Sequence, residues 1–112
     1  NILTLTAMEV AYAKCDPWLH QMLSYLEKNR DFLMKNLGDL KTIEINEPEG
    51  TYFLWMDFRK TGKEHPGKDL LSRGLELSDG GHFGGEGFLR MNYASPRSVL
   101  REACGIIKNL FD

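Results

Sequence analysis

The sequence predicts an α+β domain: a small, mostly antiparallel sheet of three to four strands packed against helices. Three observations carry that expectation. Segments with helical and strand-like apolar spacing follow one another in the order helix, strand, strand, helix, strand, helix. A turn signature, Glu47-Pro48-Glu49-Gly50, separates two apolar strand-like runs. The segment Phe88 to Tyr93 divides into two chemically distinct faces.

The N-terminal third reads as helix. Leu3, Leu5, Ala7, Met8, Val10 and Ala11 form a loose apolar stripe that Asp16-Pro17 interrupts. Aspartate caps helix N-termini and proline suits the first helical position, so a second helix starts there. Leu19, Met22, Leu23, Leu26, Leu33 and Leu37 continue it, and Gly38 is placed to end it.

Strands follow. In Thr42 to Asn46, Ile43 and Ile45 alternate with polar residues, the pattern of one buried face. Thr51 to Phe58 is almost wholly apolar and aromatic, as expected of a central strand buried on both sides. The intervening turn makes the pair a hairpin.

Arg59 to Lys68 reads as a loop and Asp69 to Leu77 as a short helix, with Asp69 as its N-cap. Five of the 11 glycines then fall between Gly80 and Gly87. Such a run reads as a loop. In the strand after it, Leu89, Met91 and Tyr93 share one face and Phe88, Arg90 and Asn92 the other. Ser95-Pro96 is a second cap-plus-proline helix start. Val99, Leu100, Ala103, Ile106, Ile107 and Leu110 are the expected inner face of the last helix.

Length and charge set further bounds. A chain of 112 residues supports one core, so residues 1–112 form a single domain. If compact, it has a radius of gyration of about 13 Å. Fourteen basic residues against sixteen acidic ones leave a net charge of −2, without the excess that phosphate backbones demand. No nucleic-acid partner is therefore expected. The longest apolar run, Tyr52 to Met56, is far too short to cross a membrane, and no signal peptide is visible. Cys15 and Cys104 read as free thiols of a reducing, cytoplasmic compartment. His20, His65 and His82 lack metal-ligand spacing, so no metal is expected.

Four constellations invite chemistry. Gly62-Lys63-Glu64-His65-Pro66-Gly67-Lys68-Asp69 nearly matches a phosphate-binding loop. Asp69 replaces the hydroxyl that would hold Mg²⁺, and Pro66 removes an amide donor. The glycine run could bring backbone amides near an anion, or simply be a surface loop carrying a solvated His82. Tyr52, Phe53, Trp55 and Phe58 could stack on a ligand, but their spacing in an apolar strand reads as core. Arg90 is the most informative. A strand position holds its rigid fork more firmly than a loop would, which suits bidentate recognition of a carboxylate. The competing reading is a solvated arginine paired with a local acid.

Three stretches carry a resemblance: Pro48 to Arg59, Gly84-Gly85-Glu86-Gly87-Phe88-Leu89-Arg90-Met91-Asn92-Tyr93-Ala94-Ser95-Pro96-Arg97, and the opening Ala11-Tyr12 through Asn29. Together they resemble the C-terminal small domain of fold-type I pyridoxal-phosphate enzymes. The nearest branch holds class I/II aminotransferases and cystathionine β-lyase-like C–S lyases. The resemblance implies that Arg90 binds the α-carboxylate of an amino-acid substrate, and that Asn92 supports the arginine or lines the cleft. It implies a homodimeric parent enzyme using pyridoxal 5′-phosphate. The family's cofactor-bearing lysine, in its Ser-x-x-Lys setting, has no counterpart here. The expected reading is therefore a domain that is inactive alone, binds no cofactor by itself, and lacks the large cofactor-binding domain. The missing lysine also motivates a second reading, a free-standing interaction or regulatory domain that kept the fold without the activity.

Overall fold

The computed structural model describes residues 1–112. The chain forms α1 (Ile2–Lys14), α2 (Asp16–Leu37), β1 (Glu44–Ile45), β2 (Phe53–Asp57), α3 (Pro66–Ser72), β3 (Ser78–Asp79), β4 (Phe88–Asn92) and α4 (Arg97–Phe111). Single 3-10 turns occupy Arg59–Thr61 and Gly80–Phe83. The strands make one sheet in the order β1-β2-β4-β3, and every pairing is antiparallel. This is the α+β class expected, with its hairpin between β1 and β2 in place. The strand β3, not anticipated, is a two-residue edge at the entry to the glycine run. Two residues are too few to show an alternating pattern.

One side of the sheet is packed. Leu54 and Met56 of β2, and Leu89 and Met91 of β4, point into a core closed by α2, α4 and Leu70 of α3. The core face of α4 is Leu100, Ala103, Cys104, Ile107 and Phe111, at helical spacings of three and four. Val99, expected on that face, is rotated off it and exposed. Residue 99 lies about 100° around the helix from residue 100, and the burial of Phe111 fixes the stripe one residue later than expected.

Two expectations about burial fail. The strand β2 is not buried on both faces: Leu54 and Met56 are buried, while Phe53 and Trp55 are half-buried. No helix covers their side. The molecule is also longer than a compact chain of its size. Its radius of gyration is 16.7 Å and its extents are 51 × 28 × 24 Å. The cause is α1, in which no residue is buried, together with the first turns of α2, where Trp18, Leu19 and Leu23 are exposed.

Helix starts are each displaced from the expected cap. Asp16 is the first residue of α2 rather than its N-cap, and Cys15 precedes it without a side-chain bond. The helix α3 starts at Pro66, so Asp69 lies inside its first turn and faces Lys63 Nζ at 3.9 Å. Pro96, not Ser95, precedes α4. The Asp-Pro and Ser-Pro signals located the starts of α2 and α4, whereas α3 starts at Pro66, inside the segment expected to be a loop. Gly38 does end α2, but in a right-handed conformation with φ −64°.

Candidate functional site: an unpaired arginine on the open face of the sheet

The uncovered face is built by strand alternation. Phe53, Trp55 and Asp57 project from β2, and Phe88, Arg90 and Asn92 from β4. Register sets Trp55 opposite Arg90 and Asp57 opposite Phe88, with Ser78 of β3 on Arg90's other side. The turn Gly80–Phe83 adds Phe83 from above the edge.

These side chains form a continuous stack. Tyr52 and Phe53 have ring centroids 4.6 Å apart. The Arg90 guanidinium carbon lies 4.2 Å from the Phe53 centroid and 4.2 Å from that of Phe83. Phe83 meets Trp55 edge-on at 6.3 Å, and Trp55 stacks on Phe88 at 5.4 Å. Phe88 in turn carries the Arg59 guanidinium at 4.7 Å. Two glycines permit the approach. A Cβ at Gly85 would meet Trp55 Cζ2 at 2.5 Å, and one at Gly80 would meet the carbonyl oxygens of Gly85 and Phe88 at 2.5 and 2.6 Å.

The two arginines of the stack differ in one respect. Arg59 is neutralised: its Nε donates to Asp57 Oδ1 at 2.9 Å and its Nη2 to Oδ2 at 2.7 Å. Hydrogen bonding from Arg59 holds the Asp57 carboxyl below its ordinary range, against the opposing effect of burial. Arg90 has no such partner. It forms no ion pair, and its Nε is buried without any acceptor. A buried donor left unpaired is costly, so an orphaned guanidinium edge is an unusual feature of a folded chain.

Asn92 shares this face and is exposed at the end of β4. Its Oδ1 accepts from the Ala94 backbone N–H at 2.8 Å, which shapes the strand exit. No hydrogen bond joins it to Arg90.

A second polar group, not anticipated, locks that exit from behind. Asn29 of α2 is fully buried. Its Nδ2 donates to the carbonyls of Tyr93 at 2.9 Å and Ser95 at 3.0 Å, and its Oδ1 accepts from Arg97 Nε at 3.0 Å. The Tyr25 hydroxyl adds a bond to Ser95 O at 3.3 Å. The only sequence signal was a single asparagine on the apolar stripe of a helix, and its partners lie more than sixty residues away.

The remaining constellations do not converge on Arg90. His82 is exposed on the 3-10 turn. With Lys68 it lines an open groove of about 530 Å³ that Arg90 does not border. Glu64, Glu76, Asp79 and Glu86 line the same groove, and four carboxylates disfavour a phosphate there. The near-match at Gly62 to Asp69 therefore forms no phosphate cradle. Cys15 and Cys104 are both free, and burial raises the Cys104 thiol. No group of three or more His, Cys, Asp or Glu side chains could hold a metal ion. No helix is long and apolar enough to cross a membrane.

Fold and site together define an α+β domain that presents one unpaired, aromatically clamped arginine on an open sheet face. Residues 3–107 match the family model described as aminotransferase class I and II, and the chain belongs to that family. It is 30% identical to cystathionine β-lyase PatB of Bacillus subtilis over 96% of its own length and 30% of that protein's. It is 36% identical to a cystathionine β-lyase of Corynebacterium glutamicum, over 91% of itself and 28% of the relative. The fold superposes on a pyridoxal-phosphate-bound C–S lyase from Staphylococcus hominis in complex with the inhibitor L-cycloserine. That match has a TM-score of 0.87 and 31% identity, and covers 100% of this chain and 29% of the other. Cystalysin from Treponema denticola, which contains pyridoxal 5′-phosphate, matches with a TM-score of 0.82 and 28% identity, over 96% and 29%. The chain thus spans under a third of the length of these relatives.

Proposed function

We propose that this chain is the C-terminal small domain of a pyridoxal-phosphate-dependent enzyme acting on an amino acid, and that Arg90 binds the substrate's α-carboxylate. The reaction is amine transfer or C–S bond elimination. The observation that carries the reading is the contrast between two stacked arginines. Arg59 has its carboxylate in Asp57, whereas Arg90 has two aromatic faces, a buried Nε and no anion. A carboxylate arriving in the plane of the Arg90 fork would accept from its two outer nitrogens bidentately. Asn92, on the same face, shapes the rim of the cleft.

The cofactor named for the relatives supplies an electron sink when bound. The residues of this chain do not fit a site for it. No lysine is buried, and no phosphate cradle is formed at the near-match loop. The proposal therefore assigns the cofactor to the rest of a longer, cytoplasmic and homodimeric protein, and to this chain the holding of the substrate. The apolar, wholly exposed α1 suits a domain that packs against a neighbouring part of the same polypeptide.

The test is kinetic. In the full-length protein, R90A is expected to lower kcat/KM by roughly 100- to 1,000-fold, the loss of a bidentate charged pair, with KM raised. R90K should recover only part, because a point charge replaces a fork. Elimination from L-cystathionine and amine transfer to a 2-oxo acid are to be assayed in parallel. An unchanged kcat/KM in both would sink the assignment. A native reading frame that began near Asn1 would favour the interaction-domain reading instead.

A further inference from the structure

We infer that Phe83 is a positioning residue, the loop-side half of an aromatic clamp that makes Arg90 selective for a carboxylate approaching in plane. The inference rests on the reading of Arg90 as a carboxylate-binding group and adds a residue that acts through it.

The two rings of the clamp are not equivalent. Phe53 lies on the central strand β2, its backbone held in register with β4 opposite Asn92. Phe83 ends a one-turn 3-10 segment that contains Gly80 and Gly81 and is followed by Gly84 and Gly85, and is 54% exposed. An exposed phenylalanine on a glycine-flanked turn gains little from burial. Its visible contacts are with the Arg90 guanidinium at 4.2 Å and the edge of Trp55 at 6.3 Å.

The consequence is geometric. Two rings, each 4.2 Å from the guanidinium carbon, shield its faces from water and ligands. Burial of Nε removes the shaft side. The outer edge is what remains, and an in-plane carboxylate matches its two parallel donors. A neutral amide can satisfy only one of them as an acceptor. Cation–π contact with Phe83 also holds the fork in one orientation before the ligand arrives, which lowers the ordering cost of binding.

The test uses the full-length protein and two inert probes: butyrate, which has a carboxylate but no amino group to react, and butyramide, its neutral counterpart. Binding of each is measured by calorimetry for the parent protein and for F83A, F83Y and R90A. F83A is expected to weaken butyrate by about 3- to 30-fold, the range a partly desolvated cation–π contact supplies, and to leave butyramide within twofold. F83Y, which restores the ring, should return butyrate affinity to within about twofold of the parent. R90A should abolish the preference for butyrate. If F83A leaves butyrate within twofold while R90A abolishes the preference, the clamp is overturned and the carboxylate reading stands. Equal weakening of both probes by F83A, or failure of F83Y to rescue, would reduce Phe83 to a structural role and also overturn it. If R90A itself leaves the preference intact, the underlying reading fails along with the inference.

Discussion

Asp57 and Asn29 show how single residues hold this sheet, and each does so by satisfying a charge or a polar group away from water. Asp57 is buried on the open face, fixed by Arg59 through its side chain and its backbone N–H. Because the pairing depresses its folded-state pKa, the stabilisation is fully present above the unfolded-state value and is lost as pH falls through the lower, folded value. D57N is therefore expected to flatten the acid limb of a stability-against-pH curve below about pH 4, the ordinary carboxylate range. Urea denaturation across pH 2 to 6 would read it. An acid limb as steep in D57N as in the parent would assign acid lability to other carboxylates. Asn29 is the harder residue to replace. N29A strands two backbone carbonyls and Arg97 Nε, and is expected to cost about 2–4 kcal/mol, seen as a lower urea midpoint at unchanged slope. The two roles differ in how far apart their partners stand in the chain. Asp57 and Arg59 are two apart and legible as a local pair; Asn29 and its acceptors are joined only by folding.

At the scale of the element, the apolar spacing of α4 illustrates both the power and the error of pattern reading. The spacing identified a helix and its general direction, yet the buried stripe includes Cys104 and Phe111 and leaves Val99 outside. The pattern of apolar residues is wider than the face that fits against β2, β4 and α2. Two substitutions separate the readings. I107A, at a fully buried position, is expected to cost about 2–5 kcal/mol in chemical denaturation. V99A should stay within about 0.5 kcal/mol, because the side chain already faces solvent. Comparable costs would mean that the helix is rotated from the position described. The glycine run behaves differently again. Its composition announced a loop, but the loop lies back on the sheet. Gly80 and Gly85 allow its backbone to approach Phe88 and Trp55 at distances no Cβ permits.

For the whole molecule, the decisive feature is the unequal division of burial. The core is gathered in the C-terminal two-thirds and the end of α2, while α1 extends away without a single buried residue. Removing residues 1–14 is therefore expected to change the stability of the isolated chain by less than about 1 kcal/mol, a few degrees in Tm. Calorimetric melting of the truncated and intact chains would check this. A loss of 10 °C or more would show that α1 is integrated into the core. The same exposed helix is the reason the radius of gyration exceeds the compact expectation.

The sequence by itself determined the local choices: where helices start at Asp-Pro and after Ser-Pro, where the hairpin turns at Pro48-Glu49-Gly50, and which residues of Phe88 to Tyr93 share a face. These follow from backbone restriction and from periods of two and 3.6 residues, which are properties of short segments. Its motifs around Arg90 also identified the family. Tertiary structure alone decided what stands beside what. It set the rings of Phe53 and Phe83 each 4.2 Å from the Arg90 guanidinium carbon, left Arg90 without an acid, and brought Asn29 to the carbonyls of Tyr93 and Ser95. Those contacts depend on strand register and loop path, which the packing of the entire chain fixes and no segment encodes on its own.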